Sequence, residues 1–576
     1  MTIHFLKTRL IRLSSISSFV SFFIAITYYI VNQNLLHPGY AINDDLKIIS
    51  IVYGFPGGEP APFLIFSNVL LGLILQPLYA LHTSLNWEML LFNTINLLSL
   101  WALLYIILSG SMLIRYKLIG GIIILACAEY YALNITYTST ASLACFSGTC
   151  LILSGANSSI TLKKIPIFCG ISLITISSLI RIQMLALSLA GTLPTIIFLS
   201  RYLKTRTLVA AFIITGMFVS IGYGFDKLYV HTNPEWHAYY YYEQISQKLS
   251  DAHRLENLHS QIKFIGWSTN DQELFARKFY PDAGIYSIDR MRYLVESVPG
   301  ISQNAAESIK IFFGRLVDPL AIPFLLIILS IWFFLPIWSL SRRNSLALIS
   351  ILLLCLFENL ALVWGYKNPE YVLLSSLANM GVFSIVVLNW LGVSELKPMQ
   401  SFPSPGFAKI IKYGFILTLS LAVVMILSQS FVTSQNNMNK QIAYKQILAD
   451  LNRLQSDGEI PQNSLIISPS HGLPIDWSNP FILEFPSIAY FSTGWITYSP
   501  VYNQVLQDFE IHSLPDALYQ KNNIYLMTKS TFTVFLGRYY QEHENISVVF
   551  KTIYIMPNSF NFPGYDDVRI YKVVNQ

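Results

Sequence analysis

The stretch SSISSFVSFFIAITYYIV, residues 14–31, is followed about a dozen residues later by Asn43-Asp44-Asp45. An apolar run of this length crosses a hydrocarbon core of about 30 Å as a helix. It follows a basic start at Lys7, Arg9 and Arg12, which favours a cytoplasmic N-terminus. No small-residue cleavage site comes after it, so the run reads as a retained anchor and not as a signal peptide. Two adjacent acids then stand just past the membrane boundary. Acids beside lipid are costly, and they serve a function more often than acids on a soluble surface. The plainer use of the pair is to charge the N-terminus of a helix over 46–52.

Outward from this stretch the same pattern repeats. Of 576 residues, 53% are hydrophobic and 12% charged. A soluble domain carries roughly twice that charged fraction. Mean hydropathy is +0.49. About twelve apolar segments run to residue 430: 14–31, 62–81, 88–109, 117–135, 138–156, 165–180, 183–200, 207–225, 319–340, 344–364, 371–393 and 411–430. The formal net charge of +5 is no nucleic-acid signal, because many basic residues cluster in short loops that orient helices. The five cysteines, Cys127, Cys145, Cys150, Cys169 and Cys355, all lie in apolar segments without metal spacing, and are expected as free, buried thiols.

Topology follows from the basic loops. Arg201, Lys204 and Arg206, then Arg342 and Arg343, then Lys397, Lys409 and Lys412 all call for the cytoplasm. The stretch 226–318 and the tail then fall outside. A chain that starts inside and ends outside crosses an odd number of times. Arg115, Lys117, Lys163 and Lys164 also face inward if the proline-bearing segment 62–81 does not cross. The expected fold is a polytopic α-helical membrane protein of about eleven spans plus a re-entrant or juxtamembrane helix, in the cell (inner or plasma) membrane. Residues 1–432 form the transmembrane domain, with outer loops 32–61 and 226–318. Residues 433–576 form a C-terminal extracytoplasmic α/β domain. Within it, helices are expected over 438–454 and 530–542, and strands over 464–467, 523–527, 546–555 and 568–574.

This topology gathers a set of polar side chains on the outer face. Glu59 follows the irregular loop Gly54 to Gly58 and is a second candidate acid, or a plain loop carboxylate. Glu129, in Cys-Ala-Glu-Tyr-Tyr, would suit an acceptor contact or a metal, or simply belong to an aromatic belt. Arg181 interrupts nearly forty apolar residues. Its planar fork matches phosphate oxygens, and it would equally snorkel to headgroups. Lys367, in the 366–370 loop, is a weaker phosphate candidate. Glu358 and Asn359 would pair across the bundle. The aromatic run His231, Trp236, His237 and Tyr239 to Tyr242 suits either sugar stacking or packing. No Walker loop, dinucleotide fingerprint, HExxH or GxSxG stands in a convincing context.

Taken together, the basic N-terminus, one span, an outer loop with Asp44-Asp45, a Pro/Gly segment, many further spans and the outer tail resemble the GT-C superfamily of membrane glycosyltransferases. The stretches Ala41 to Asp45, Gly58 to Phe66 and Gly266 to Asp271 look like poorly characterised bacterial multi-pass proteins of this type. The tail has no WWDYG-like signature, which sets it apart from an oligosaccharyltransferase proper. The resemblance implies a catalytic role for Asp44 or Asp45. The acid would deprotonate or orient an acceptor hydroxyl, or hold a divalent cation such as Mg or Mn against the leaving phosphate. The implied partners are a polyprenyl-phosphate-linked sugar donor, an extracytoplasmic glycan or lipid-linked acceptor, and membrane lipids, with no nucleic acid. The alternatives are a transporter or flippase and a non-catalytic assembly factor for envelope polysaccharide. Against the first, no internal repeat appears, and the ionisable residues gather at one face instead of the midplane.

Overall fold

A computed structural model describes residues 2–576 except 43, 55–58, 111, 158–163, 201–202, 251–254, 256–257, 298–304, 335–341, 366–368, 391–404, 470–471, 558–564 and 566. Among the described residues, eight helices are long and apolar enough to cross a membrane. Four shorter apolar helices accompany them. One of these, Val69–Leu81, carries Pro77 and occupies the segment expected not to cross. Its 13 residues make a helix of roughly 20 Å, short of a hydrocarbon core.

The bundle is organised around Tyr137–Ala156, in which every residue is buried. Its sequence is dominated by Ser, Thr, Ala, Cys and Gly, which let neighbouring backbones come close. Several hydroxyls return to their own helix, as Thr149 Oγ1 does to the Cys145 carbonyl at 2.8 Å. The next helix, Lys164–Ile180, packs tightly on it. A β-carbon added at Gly148 would lie 2.7 Å from the Gly170 carbonyl oxygen, and one at Gly170 would lie 2.6 Å from that of Gly148. This glycine crossing holds the two antiparallel helices together. It brings the end of the second helix beside the start of the first.

At the opposite end of the chain, the helix Pro405–Ser456 runs for 52 residues, roughly 78 Å, without a break. The boundary expected near residue 433 falls inside it. Beyond it lies a five-stranded sheet. β1 (Gly39–Tyr40) and β2 (Asn134–Ile135) form a separate parallel pair near the membrane helices. The sheet itself holds β3 (Leu465–Ser468), β4 (Ala489–Ser492), β5 (Ile524–Lys529), β6 (Val548–Ile555) and β7 (Val568–Asn575), in the order β4-β3-β5-β7-β6. β3 pairs in parallel with β4 and β5, while β7 is antiparallel to both neighbours. β3 reads Leu-Ile-Ile-Ser and is buried throughout, as a central parallel strand requires. β6 is an edge strand, with an exposed Lys551 on it.

Two hydrophobic cores result. One fills the helical bundle. The other is shared: it joins the sheet to the helices Asp44–Tyr53 and Val69–Leu81 and to the 236–294 region. The Asp44–Tyr53 and Val69–Leu81 helices, the 236–294 region and the sheet therefore share one core. Of the aromatics in 236–242, Trp236, Tyr239 and Tyr242 belong to this core, whereas His237 and Tyr241 are exposed. Trp236 stacks on Phe63 at 4.5 Å between centroids, and Tyr239 and Tyr242 are buried. Trp477, Trp495 and Tyr502 are buried as well.

Candidate active site

The β1–β2 pair sets Gly39 beside Asn134 and Tyr40 beside Ile135. The chain leaving β1 therefore passes Thr136 and Tyr137 as it enters the Asp44–Tyr53 helix. Both acids occupy the first turn of that helix, where the helix dipole favours negative charge. Asp45 is 1% exposed. Its Oδ1 accepts the Tyr137 backbone N–H at 3.1 Å and the Thr136 hydroxyl at 3.4 Å. Its Oδ2 is buried without a hydrogen-bond partner. Burial pushes the Asp45 carboxyl well above the usual carboxylate range, with the Tyr137 N–H pulling down, the charge of Asp44 adding to the rise, and Arg181 opposing it. A buried carboxylate with an unmatched oxygen costs stability, so folding alone gives no reason to keep it.

Asp44 is more open. Its Oδ1 accepts the Trp495 indole N–H at 2.9 Å, from a residue 451 positions away. Three residues on, Lys47 donates to the Thr493 carbonyl at 3.1 Å. Burial lowers the Lys47 ammonium from its ordinary value, and the charge of Asp44 pulls it back up.

Arg181 comes to the same place through the glycine crossing. It is the single extended residue, φ −157° and ψ 102°, between the Lys164–Ile180 and Ile182–Leu199 helices. Its guanidinium carbon lies 4.7 Å from the Tyr137 ring centroid and 5.8 Å from that of Phe66. Those two rings stack at 6.2 Å and 9°, and Phe66 meets Trp495 edge-on at 5.1 Å. A continuous chain of contacts thus runs from Asp45 through Tyr137 to Arg181, and through Phe66 and Trp495 to Asp44. Resting on aromatic faces, the guanidinium keeps its donors for a ligand. Arg181 also lines a cavity of about 320 Å³, together with Phe66, Tyr223, a second cation, Lys227, and two carboxylates, Asp226 and Glu243. A second cavity, of about 300 Å³, includes Tyr40 and Ala41 just before the acids, with Asn134, Glu370, Asn436 and Lys440.

The other sequence candidates go elsewhere. Glu59 is exposed, and its backbone N–H meets Gln504 Oε1 at 2.9 Å. Glu129 is buried and turned toward the first helix, where Tyr28 and Asn32 donate to its Oε2, the latter at 2.8 Å. Lys367 lies outside the described residues. Glu358 borders a small pocket between helices, with Gly191 and Ser188 beside it. Reading the sequence missed Trp495 as a partner of Asp44, took Tyr137 only for part of an aromatic belt beside Glu129, and missed Lys47 altogether. Phe66 and Tyr137 gave no signal, being aromatic residues among many. Lys47 had one: it is the sole cation in the turn that follows the acids.

Each acid has its Oδ1 engaged by an N–H donor, and Lys47 and Arg181 supply positive charge nearby. Among the described residues, the grouping with metal-ligand spacing is Asp271, Glu542 and His543. Hydrogen bonds account for it. Ser268 and Asp271 form a capping box, Ser268 Oγ meets Glu542 at 2.7 Å, and His543 meets Asp271 at 3.0 Å. The trio fastens the Thr269–Ala276 helix to the Tyr540–Glu544 turn.

No family model matches the sequence, and no curated protein does. Among solved structures, ArnT from Cupriavidus metallidurans bound to undecaprenyl phosphate is similar, with a TM-score of 0.39 and 11% identity over 96% of this chain and 97% of that one. At that level of likeness neither the reaction nor the site is decided by the comparison.

Proposed function

We propose that the chain is an inverting glycosyltransferase. It moves a sugar from a polyprenyl-phosphate carrier to an extracytoplasmic glycan or lipid-linked acceptor, in the cell membrane, with the N-terminus cytoplasmic and the sheet outside. The observation that carries this reading is the meeting of Asp44, Asp45 and Arg181 in one contact chain, whose Arg181 and Phe66 line a cavity that also holds Lys227, Asp226 and Glu243.

Asp44 is the base, since it is the more open acid and its Trp495 contact engages Oδ1 alone. It takes the proton of an acceptor hydroxyl as that oxygen attacks the anomeric carbon. The bond from that carbon to the phosphate oxygen breaks, and the electron pair leaves with the lipid phosphate. Arg181 and Lys227 meet the departing charge. One displacement inverts the anomeric centre. Asp45 positions Tyr137, on whose ring Arg181 rests. No step requires a metal, and EDTA treatment checks that.

The test is the Asp44→Asn/Asp45→Asn double variant, purified in detergent. It is assayed with radiolabelled sugars on undecaprenyl phosphate and a washed membrane fraction as acceptor. Transfer should fall by more than roughly 10³-fold with normal membrane insertion. Undiminished transfer would end the proposal.

A further inference from the structure

The contact between Trp495 and Asp44 is made by a turn of the sheet-bearing region, directly after β4. That turn is tightly held. The Thr493 N–H meets the Ser468 carbonyl at 2.8 Å, the Gly494 N–H meets Thr497 Oγ1 at 3.2 Å, and the Tyr239 hydroxyl donates to the Trp495 carbonyl. Gly494 sits at φ +123°, a conformation that L side chains rarely adopt. A β-carbon there would come 3.1 Å from Lys47 Nζ. The turn therefore grips the Asp44–Tyr53 helix twice: by the indole on Asp44 and by the Thr493 carbonyl on Lys47.

The indole is itself 5% exposed and makes an edge contact with Phe66. Packing explains a buried tryptophan. It does not require the ring nitrogen to aim at a carboxylate of the Asp44–Tyr53 helix. A single N–H on Oδ1 fixes the carboxylate plane and leaves Oδ2 for an incoming hydroxyl. The same ring touches Phe66, which shares the guanidinium of Arg181 with Tyr137. One side chain from the far end of the sequence thereby fixes the spacing between the acid and the cation.

Resting on the transferase reading above, we propose that Trp495 is a positioning residue for Asp44, and that the 493–495 turn makes the sheet-bearing region part of the reaction centre and not only a cover over it. The test compares Trp495→Phe with replacement of Trp495 by benzothienylalanine, which exchanges the ring N–H for sulfur at nearly constant shape. Both should lower kcat roughly 10- to 100-fold, the usual worth of a hydrogen bond to a charged group. KM for the undecaprenyl-phosphate sugar should stay within about twofold in both, and the melting temperature should hold in the benzothienylalanine variant, which keeps the ring's shape, while Trp495→Phe, which removes ring volume from a buried site, should lower it. Gly494→Ala, which displaces the turn but keeps the indole, should show the same split.

A benzothienylalanine variant with full kcat overturns the inference. So does one that raises KM and spares kcat. Asp44→Asn separates the two proposals. If it is inactive while both Trp495 variants work normally, only the positioning role fails. If it is fully active, the site itself fails. Should Trp495→Phe not fold, the benzothienylalanine variant alone decides.

Discussion

Asp45 and Glu129 are two acids of equal seclusion, 1% and 3% exposed, and they sit in opposite kinds of surroundings. Glu129 is met by Tyr28 and Asn32, which join two membrane helices. Asp45 has one oxygen engaged and one buried without a partner, with Asp44 adjacent and Arg181 near enough to bias its proton. Burial therefore does not separate a working carboxylate from a structural one. What differs between them is the bonding capacity left over and the charged neighbours around it.

The largest effect expected from this contrast is on catalysis. Asp44→Asn should reduce transfer by roughly 10²- to 10⁴-fold. Glu129→Gln should leave kcat within about threefold, and equal losses in the two variants would erase the distinction. Next, Arg181→Ala should cost roughly 30-fold or more in kcat/KM for the lipid-linked donor, and Arg181→Lys should recover only part, since a point charge replaces a fork. A full recovery would show that charge alone matters there.

Smaller effects fall on stability. Gly148→Ala forces a β-carbon against the Gly170 carbonyl and should cost about 1–3 kcal/mol, measured by thermal unfolding in detergent. It should also impair transfer, because the helix it displaces ends at Arg181. Glu129→Gln should destabilise by about 1–3 kcal/mol. Asp45→Asn should do the reverse and raise the melting temperature at neutral pH. The sign follows from its raised carboxyl: the folded state prefers the protonated form, so Asp45 contributes stability below the ordinary carboxylate value near ~4 and loses it as pH rises through its raised one. The gain from Asp45→Asn should thus shrink as the pH falls toward ~4. A gain independent of pH would assign the effect to packing.

How much of this was legible follows from what each residue does locally. Asp44, Asp45 and Arg181 stood out because an isolated charge in an apolar sequence is expensive and demands a reason. The sheet strands near 465, 524, 548 and 568 showed as short apolar runs between turn residues. β4 was missed, being four residues in a stretch rich in proline and serine. Trp495 was visible as an aromatic, yet its partner was not, because a contact across 451 residues leaves no local periodicity. The partners of Glu129 were hidden for the same reason, lying about a hundred positions upstream. Glu88, buried and close enough to Asp45 to sense its charge, looked like an ordinary first-turn helix acid.

The reach of Trp495 back to Asp44 also sets a clock on biogenesis. Ribosomes add about 5–20 residues per second, so the indole emerges roughly 20–90 s after the acid it serves, across their separation of 451 residues. Throughout that interval the bundle is inserting, and lipids have access to an acid whose orienting partner does not yet exist. On the role proposed for Trp495, a nascent chain, or one truncated before residue 495, lacks the contact that orients Asp44, and full competence is expected only when nearly the whole polypeptide has been made.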